Sequence, residues 1–511
     1  MSLPPLSAAL MGANSFATRG RRRAILAATL LGALAALGQA PVGAWPLSVI
    51  AFAGILGLLR AAPHPRRAAL IGWAAGLGYF LAALAWIVEP FLVDVARHGW
   101  MAPFALGFMA AGLALFWGGA GWLAHRAGGT ALALIAAFTL AEALRGRIFT
   151  GFPWAQPGHI WVDTPLLQLA AFGGALSLTA ATILLALLIW QALLGNRWAL
   201  ATALLVQAAL LVAPSPQGPR SDEAPIVRLI QPNAAQHEKW KPEMIPVFFR
   251  RQLGFTGAPP QGNRRAPSLI VWPETAIPDL LNYATDILNV IGDIAGEATV
   301  VLGAQRIEGM RLYNSLAVLG ADGALAHVYD KHHLVPFGEY VPFGDLLGRV
   351  GISGLAARTG NGYSAGPGPE LIDLGPLGLA LPLICYEGVF PRNISGAPAR
   401  ADLLLLITND AWFGELSGPY QHLAQARLRA AEQGLPMIRV ANTGVSAMID
   451  ARGAIVGALP LGKAGYADVP LPPPLPPTLY ARMGDLPILL LLALGLGGAW
   501  ATRRQRRPVS D

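Results

Sequence analysis

Cysteine is almost absent from this chain, since Cys385 is the only one among 511 residues. A single cysteine excludes an intramolecular disulfide framework and a cysteine-rich zinc site. It is compatible with either redox compartment. A lone cysteine is most often a small buried hydrophobic residue, so its surroundings must decide whether it has a chemical role.

Charged residues are also scarce. They make up 13% of the chain against 54% hydrophobic residues, whereas soluble domains carry about 25%. The mean hydropathy is +0.48, which predicts that much of the chain faces lipid. The formal net charge of +8 would suit nucleic acid, but the basic residues form short clusters between apolar runs, as at 21–23 and 503–507. Such clusters are typical of membrane topology signals, so we expect no nucleic-acid partner.

Eight apolar stretches predict membrane spans, and several approach the roughly 20 residues that cross a hydrocarbon core. They lie at 24–40, 43–59, 68–88, 101–124, 128–144, 165–194, 198–213 and 486–501. Arginines concentrate in alternate loops, which predicts a cytoplasmic N terminus. Arg145 and Arg147 are exceptions, and we expect them to face the helix bundle. Seven crossings then place the region before the last span outside the cytoplasm.

Polar, proline-rich linkers at 213–224 and 470–477 delimit a region of different character, 225–470. Short β-rich runs lie at 226–230, 269–272, 299–302, 379–384, 403–408 and 438–441, and a helical pattern at 421–432. Several runs are apolar throughout, as strands buried on both faces are. The sequence therefore predicts three parts: a membrane region at 1–213, an α/β layered domain at 225–470, and a last span at 486–501 with a basic tail.

Three segments of this domain place a reactive group at the end of an apolar run: Glu274, Lys331 and Cys385. Thiol catalysis needs a base to form the thiolate and positive charge or N–H donors for the oxyanion. Taken alone, such a glutamate or lysine is usually a surface residue. His332 and His333 leave a Cys–His pair or a metal site as alternatives, although adjacent residues of an extended segment point to opposite faces.

The flanking residues carry a family resemblance. WPE at 272–274, YDKHHLVPFGEYVP at 329–342 and CYE at 385–387 resemble the Glu-Lys-Cys triad of the nitrilase (carbon–nitrogen hydrolase) superfamily. The wider pattern is similar to its membrane-bound branch, the apolipoprotein N-acyltransferases, over nearly the whole chain. Further matching segments are QPN at 231–233, where the family usually has QGN, NDAWFG at 409–414, RVANTG at 439–444 and GFPW at 151–154.

This resemblance implies an αββα sandwich that faces the periplasm from the bacterial inner membrane. It implies transfer of an acyl chain from a phospholipid, preferably phosphatidylethanolamine, through a cysteine thioester to the S-diacylglyceryl-cysteine of an apolipoprotein. No cofactor or metal is implied, and a monomer suffices. The implied roles are base for Glu274, oxyanion stabiliser for Lys331, nucleophile for Cys385, supporting residues for Glu339, Tyr386 and Glu387, and entrance aromatics for Trp240 and Trp412.

Two other functions remain open from the residues themselves. A membrane-tethered amidohydrolase acting on a small amide would have the same fold and triad. A non-enzymatic scaffold or transporter would not depend on Cys385. The apolar, glycine-punctuated segment 343–355 is expected to be a mobile flap that touches lipid, or else a buried loop.

Overall fold

The computed structural model describes residues 20–212, 223–262, 264–342 and 362–505. These residues form two compact units. One takes the described residues within 1–88, 101–215 and 478–511, and the other takes those within 89–100 and 216–477. The segment 343–355, expected from the sequence to be a flap, lies outside the described residues.

The first unit is helical. A helix overlaps each of the eight predicted spans. Seven of these helices lie before residue 213: α1 (Arg21–Ala36), α2 (Trp45–Arg60), α3 (Pro65–Ala83), α4 (Ala102–Arg126), α5 (Ala131–Arg145), α6 (Ala170–Leu193) and α7 (Arg197–Val212). The helices Leu479–Met483 and Leu486–Gln505 follow the second unit.

Few of these helices are long enough to cross a bilayer as straight rods. Among the described residues, Val95–Arg126 and Pro165–Leu193 are sufficiently long and apolar, and a third span exists if Pro65–Ala83 and Ala85–Leu92, bent by 62°, count as one. Several others have 16 residues, as α1 does, which gives a length of about 24 Å against a hydrocarbon core of about 30 Å. The eight predicted crossings therefore exceed the two or three that helix length supports.

A buried charged cluster lies in the helical unit. Glu142 and Arg145 form an ion pair with both side chains fully buried. Trp117 donates its indole N–H to Glu142 at 2.7 Å, and Arg145 donates to the carbonyl of Trp154 at 2.9 Å. Arg145 therefore faces the bundle as expected. Arg147 does not, because its side chain is 48% exposed and pairs with Asp485.

The second unit contains two six-stranded sheets. Its strands are β1 (Ile226–Gln231), β2 (Leu269–Val271), β3 (Thr299–Glu308), β4 (Arg311–Leu319), β5 (Leu325–Asp330), β6 (Ile372–Asp373), β7 (Leu379–Ile384), β8 (Leu403–Thr408), β9 (Met437–Ala441), β10 (Ser446–Ile449), β11 (Ile455–Leu459) and β12 (Gly465–Pro470). The sheet orders are β12-β1-β2-β3-β4-β5 and β11-β10-β9-β8-β7-β6. The central strands β1 to β3 and β7 to β9 run parallel.

The two sheets pack face to face and helices cover their outer faces. Apolar side chains from both sheets form the inner core, including Val227 and Val271 from one and Leu405 and Val440 from the other. Helices α8 (Ile245–Thr256) and α9 (Thr285–Ala295) pack on the first sheet. Helices α10 (Pro391–Ser395) and α11 (Gly418–Gln433) pack on the second. This is the αββα sandwich implied by the resemblance.

A buried ion pair joins the first strand of this unit to its last. Arg228 on β1 and Asp468 on β12 are each 1% exposed, and their side chains approach to 2.7 Å. Asp468→Ala would leave the Arg228 charge buried without its counterion, so we expect it to lower the free energy of unfolding by about 3–5 kcal/mol.

Chemical unfolding of the full chain in detergent, followed by tryptophan fluorescence, measures this loss. Asp293→Ala, at an exposed position in the last turn of α9, is the matched control and should change stability by less than about 0.5 kcal/mol. Equal stability of the two variants would contradict the importance assigned to the Arg228–Asp468 pair.

Candidate active site

Glu274 lies three residues beyond the end of β2 and is only 7% exposed. Gly303 on β3 allows this close approach, because a Cβ at 303 would lie 2.6 Å from the Glu274 Cα. Burial raises the pKa of the Glu274 carboxyl, the Lys331 ammonium opposes the rise, and Glu339 adds to it. A carboxyl with a raised pKa is suited to accept and return a proton near neutrality.

Lys331 follows β5 directly and is 1% exposed. Its ammonium donates to Glu339 at 2.8 Å, and the other oxygen of Glu339 accepts from the backbone N–H of Val335 at 2.9 Å. Burial acts to lower the pKa of Lys331, but the charges of Glu339, Cys385 and Glu274 outweigh it and the pKa is raised. The lysine therefore remains a cation inside the site.

Cys385 follows β7 on a strained turn. Its φ is +51°, in the left-handed region that non-glycine residues rarely adopt, and it is 6% exposed. Strain of this kind persists where the surrounding structure holds it, often at functional sites. Burial raises the pKa of the thiol, Glu274 adds to the rise and Lys331 opposes it. The resting side chain is therefore a thiol, which needs a base before it can attack.

Two of the three predicted residues, Glu274 and Lys331, both contact Asn314, and the charges of both act on the pKa of the third, Cys385. Asn314, on β4, connects them. Its side chain donates to Glu274 at 2.7 Å and to Glu339 at 3.2 Å, and its carbonyl accepts from the backbone N–H of Lys331 at 2.9 Å. The side-chain amide of Asn314 thus joins the two carboxylates, while its backbone carbonyl holds the backbone of Lys331.

Glu387 joins the segment of Lys331 to the turn of Cys385. Its fully buried carboxylate accepts from the backbone N–H groups of Ile384 and His332, each at 2.8 Å, and of His333 at 3.1 Å. The hydroxyl of Tyr329 donates to it at 2.9 Å. Burial acts to raise the pKa of Glu387, but its hydrogen bonds and the charge of His332 outweigh burial and the pKa is lowered.

The two histidines lie on the side of Glu387 rather than of the triad. The Nδ1 atom of His332 is 2.7 Å from Glu387, and His333 contacts Asn393 at 3.3 Å. The His333 ring also packs on Tyr386, with ring centroids 5.5 Å apart. Their contacts therefore give a structural role to both histidines and favour Glu274 over histidine as the base.

The two predicted entrance aromatics, Trp240 and Trp412, differ in exposure. Trp240 is 43% exposed and lines a pocket with Lys239, Phe248 and Thr275, beside the Glu274 segment. Trp412 is partly buried in the short turn that follows β8.

Sequence reasoning missed several polar residues of the site. Lys239 donates to the carbonyl of Glu274 and to the hydroxyl of Thr275, each at 3.2 Å, and burial lowers its pKa to about 8 while Glu274 opposes this. Its position next to Trp240 in the sequence is the feature that could have identified Lys239 as a site residue. No sequence feature identifies Asn314 as a site residue, because only the pairing of β4 with its neighbouring strands brings Asn314 close to Glu274.

The comparisons identify the family. Residues 31–188 match the apolipoprotein N-acyltransferase N-terminal domain, and residues 222–474 match the carbon-nitrogen hydrolase family. A protein named apolipoprotein N-acyltransferase from Sinorhizobium fredii is 39% identical, over 88% of this chain and 90% of its own. The protein of the same name from Rhodopseudomonas palustris is 38% identical, over 93% and 94%. The chain belongs to the apolipoprotein N-acyltransferase family.

This membership confirms the resemblance seen in the sequence and favours acyl transfer over amide hydrolysis. An amidase of known structure from Nesterenkonia sp. is 19% identical, covers 54% of this chain and 98% of its own, and has a TM-score of 0.37.

The pair formed by Glu387 and His332 predicts a pH-dependent stability. Burial acts to lower the pKa of His332, but Glu387 outweighs it and the pKa is raised above 6.5. Stability from a raised histidine pKa is full below the unfolded value and is lost as pH rises through the folded value. The thermal unfolding temperature of the full chain should therefore fall above about pH 6.5, and His332→Gln should flatten this dependence.

His237→Gln is the matched control, since the His237 side chain is 63% exposed, and it should retain the pH dependence. A His332→Gln profile parallel to that of the unaltered chain would show that the pair does not control stability.

Proposed function

We propose that this protein transfers a fatty acyl chain from a phospholipid to the N-terminal amine of an apolipoprotein's S-diacylglyceryl-cysteine. The observation that carries the proposal is the buried meeting of Glu274, Lys331 and Cys385. It is the arrangement that thiol-based acyl transfer needs: a nucleophile, a base and a fixed cation. Membership of the family supports the choice of substrates.

In the first step, the Glu274 carboxylate takes the proton of the Cys385 thiol and the sulfur attacks the ester carbonyl of the phospholipid. The Lys331 ammonium and the backbone N–H of Tyr386 stabilise the oxyanion, and one such donor is typically worth about 3–4 kcal/mol. The carbon–oxygen bond then breaks. The lysophospholipid leaves as an alcohol with the proton from Glu274, and Cys385 holds the acyl group as a thioester.

In the second step, the amine of the apolipoprotein attacks the thioester and loses a proton to Glu274. The carbon–sulfur bond breaks, an amide forms, and Cys385 returns to its thiol as Glu274 gives the proton back. Glu339 is unsuited to be the base, because both of its oxygens are engaged by Lys331, Asn314 and Val335. Its role is to hold Lys331, while Glu387 holds the two catalytic segments together.

The proposal extends to location. The proposed domain at 225–470 faces the periplasm, with spans within 1–213 and at 486–501. The basic clusters support this orientation, and a helix overlaps each of the eight expected positions. Phosphatidylethanolamine is the proposed donor, and a monomer is the proposed working form. Trp240, exposed beside the Glu274 segment, and Trp412 are proposed to contact the lipid substrates at the entrance.

The test uses purified full-length protein and phosphatidylethanolamine labelled in its acyl chains. We expect a hydroxylamine-labile label on the unaltered chain and none on Cys385→Ala. Glu274→Gln removes the base and should slow labelling by about 10²–10⁴-fold. Glu308→Gln is the same change at an exposed carboxylate and should label at the normal rate.

Two results would contradict the proposal. Acyl transfer to an apolipoprotein by Cys385→Ala would reject the thioester. Release of ammonia from small amides, without transfer of label from phospholipid, would indicate the amidohydrolase instead.

A further inference from the structure

A second buried charged cluster lies next to the nucleophile, in residues that the proposed mechanism does not use. Asp410, His422 and Arg439 are each no more than 1% exposed. One oxygen of Asp410 accepts from His422 Nδ1 at 2.9 Å, and the other accepts from Arg439 at 2.6 Å. Burial acts to raise the pKa of Asp410, but Arg439 and His422 outweigh it and lower the pKa to about 2. Asp410 is therefore a fixed anion that only accepts hydrogen bonds.

Thr408 connects this cluster to the sulfur. In the parallel pairing of β7 with β8, Ile384 is opposite Ile407, so Cys385 and Thr408 are the next residues along the two strands. The fully buried Thr408 hydroxyl donates to Asp410 at 3.0 Å. Hydrogen bonding from Thr408 also acts to lower the pKa of the neighbouring Cys385 thiol, against the larger effect of burial. A hydroxyl has one proton, so it can donate to only one of these two partners at a time.

The charges around the sulfur make such a donor useful. Glu274 and Asp410 both disfavour a thiolate at Cys385, and Lys331 favours it. Lys331 also forms an ion pair with Glu339. A hydroxyl that donates to sulfur would add stabilisation specific to the thiolate, because hydrogen bonds to charged groups are stronger than those to neutral ones.

We propose that the Thr408 hydroxyl is a switching donor: it donates to Asp410 while Cys385 is a thiol, and to Cys385 Sγ when the thiolate forms. Thr408 thereby acts as a catalytic residue, and Asp410 as a positioning residue that holds the hydroxyl in place between turnovers. When the hydroxyl turns, His422 and Arg439 still satisfy both oxygens of Asp410. The inference rests on the proposed role of Cys385 as the nucleophile.

The experiment measures the alkylation of Cys385 by iodoacetamide in the full-length protein as a function of pH. The chain has no other cysteine, so the mass increase of the intact protein reports this thiol alone. Thr408→Val keeps the shape of the side chain and removes the donor. We expect alkylation to be about tenfold slower near neutrality and its pH midpoint to rise by about one unit. Thr408→Ser should restore both, since it restores the hydroxyl.

Thr299→Val is the matched control, because Thr299 pairs with Leu269 at the opposite end of β2 from Glu274. It should alkylate as the unaltered chain does. If Thr408→Val does not fold, Thr408→Ala is compared with Thr408→Ser in its place.

An unchanged rate and midpoint in the variant that lacks the hydroxyl would overturn the inference, as would an equal change in Thr299→Val. Failure of the proposed function is distinguishable, because it appears as acyl transfer by Cys385→Ala whatever the alkylation profile of the Thr408 variants.

Discussion

The ion pair between Lys331 and Glu339 is the interaction on which the rest of the site depends. A buried ammonium needs a counterion. After Glu339, Glu274 is the carboxylate that raises the pKa of Lys331 most, so without Glu339 it would become the counterion. Glu274 would then lose the raised pKa that makes it a useful base. Glu339 is the counterion of Lys331, and the side-chain amide of Asn314 donates to both Glu339 and Glu274.

The sandwich supplies the rigidity that this arrangement requires. Glu274, Lys331 and Cys385 each follow a strand, and Glu387 links the last two segments through backbone N–H groups on both sides. Because these contacts are made by buried groups, a shift in one segment would leave a donor or acceptor without its partner, which costs free energy. The segments of Lys331 and Cys385 are therefore positioned by hydrogen bonds that also join strand ends of the two sheets.

The sequence predicted the parts of this structure that depend on local pattern. Strands β1, β7, β8 and β9 are buried on both faces, so they appear as continuous apolar runs, and the triad is marked by its flanking residues. Asn314 and Thr408 were not predicted as site residues, because their contacts depend on strand register, which composition does not encode. Helix length supports two or three of the eight predicted spans among the described residues, since several helices are short, as at 24–40, where the helix is Arg21–Ala36.

The left-handed turn at Cys385 has a consequence for the order of events. A side chain on a strained, buried turn has few accessible positions, so in the proposed mechanism an acyl group attached to its sulfur would have few directions in which to extend. The donor must bring the acyl group in along one of these directions, and the acceptor must reach the same carbonyl carbon afterwards. In the proposed mechanism, two lipid substrates that share this approach could not occupy it together, so they would react with Cys385 in alternation.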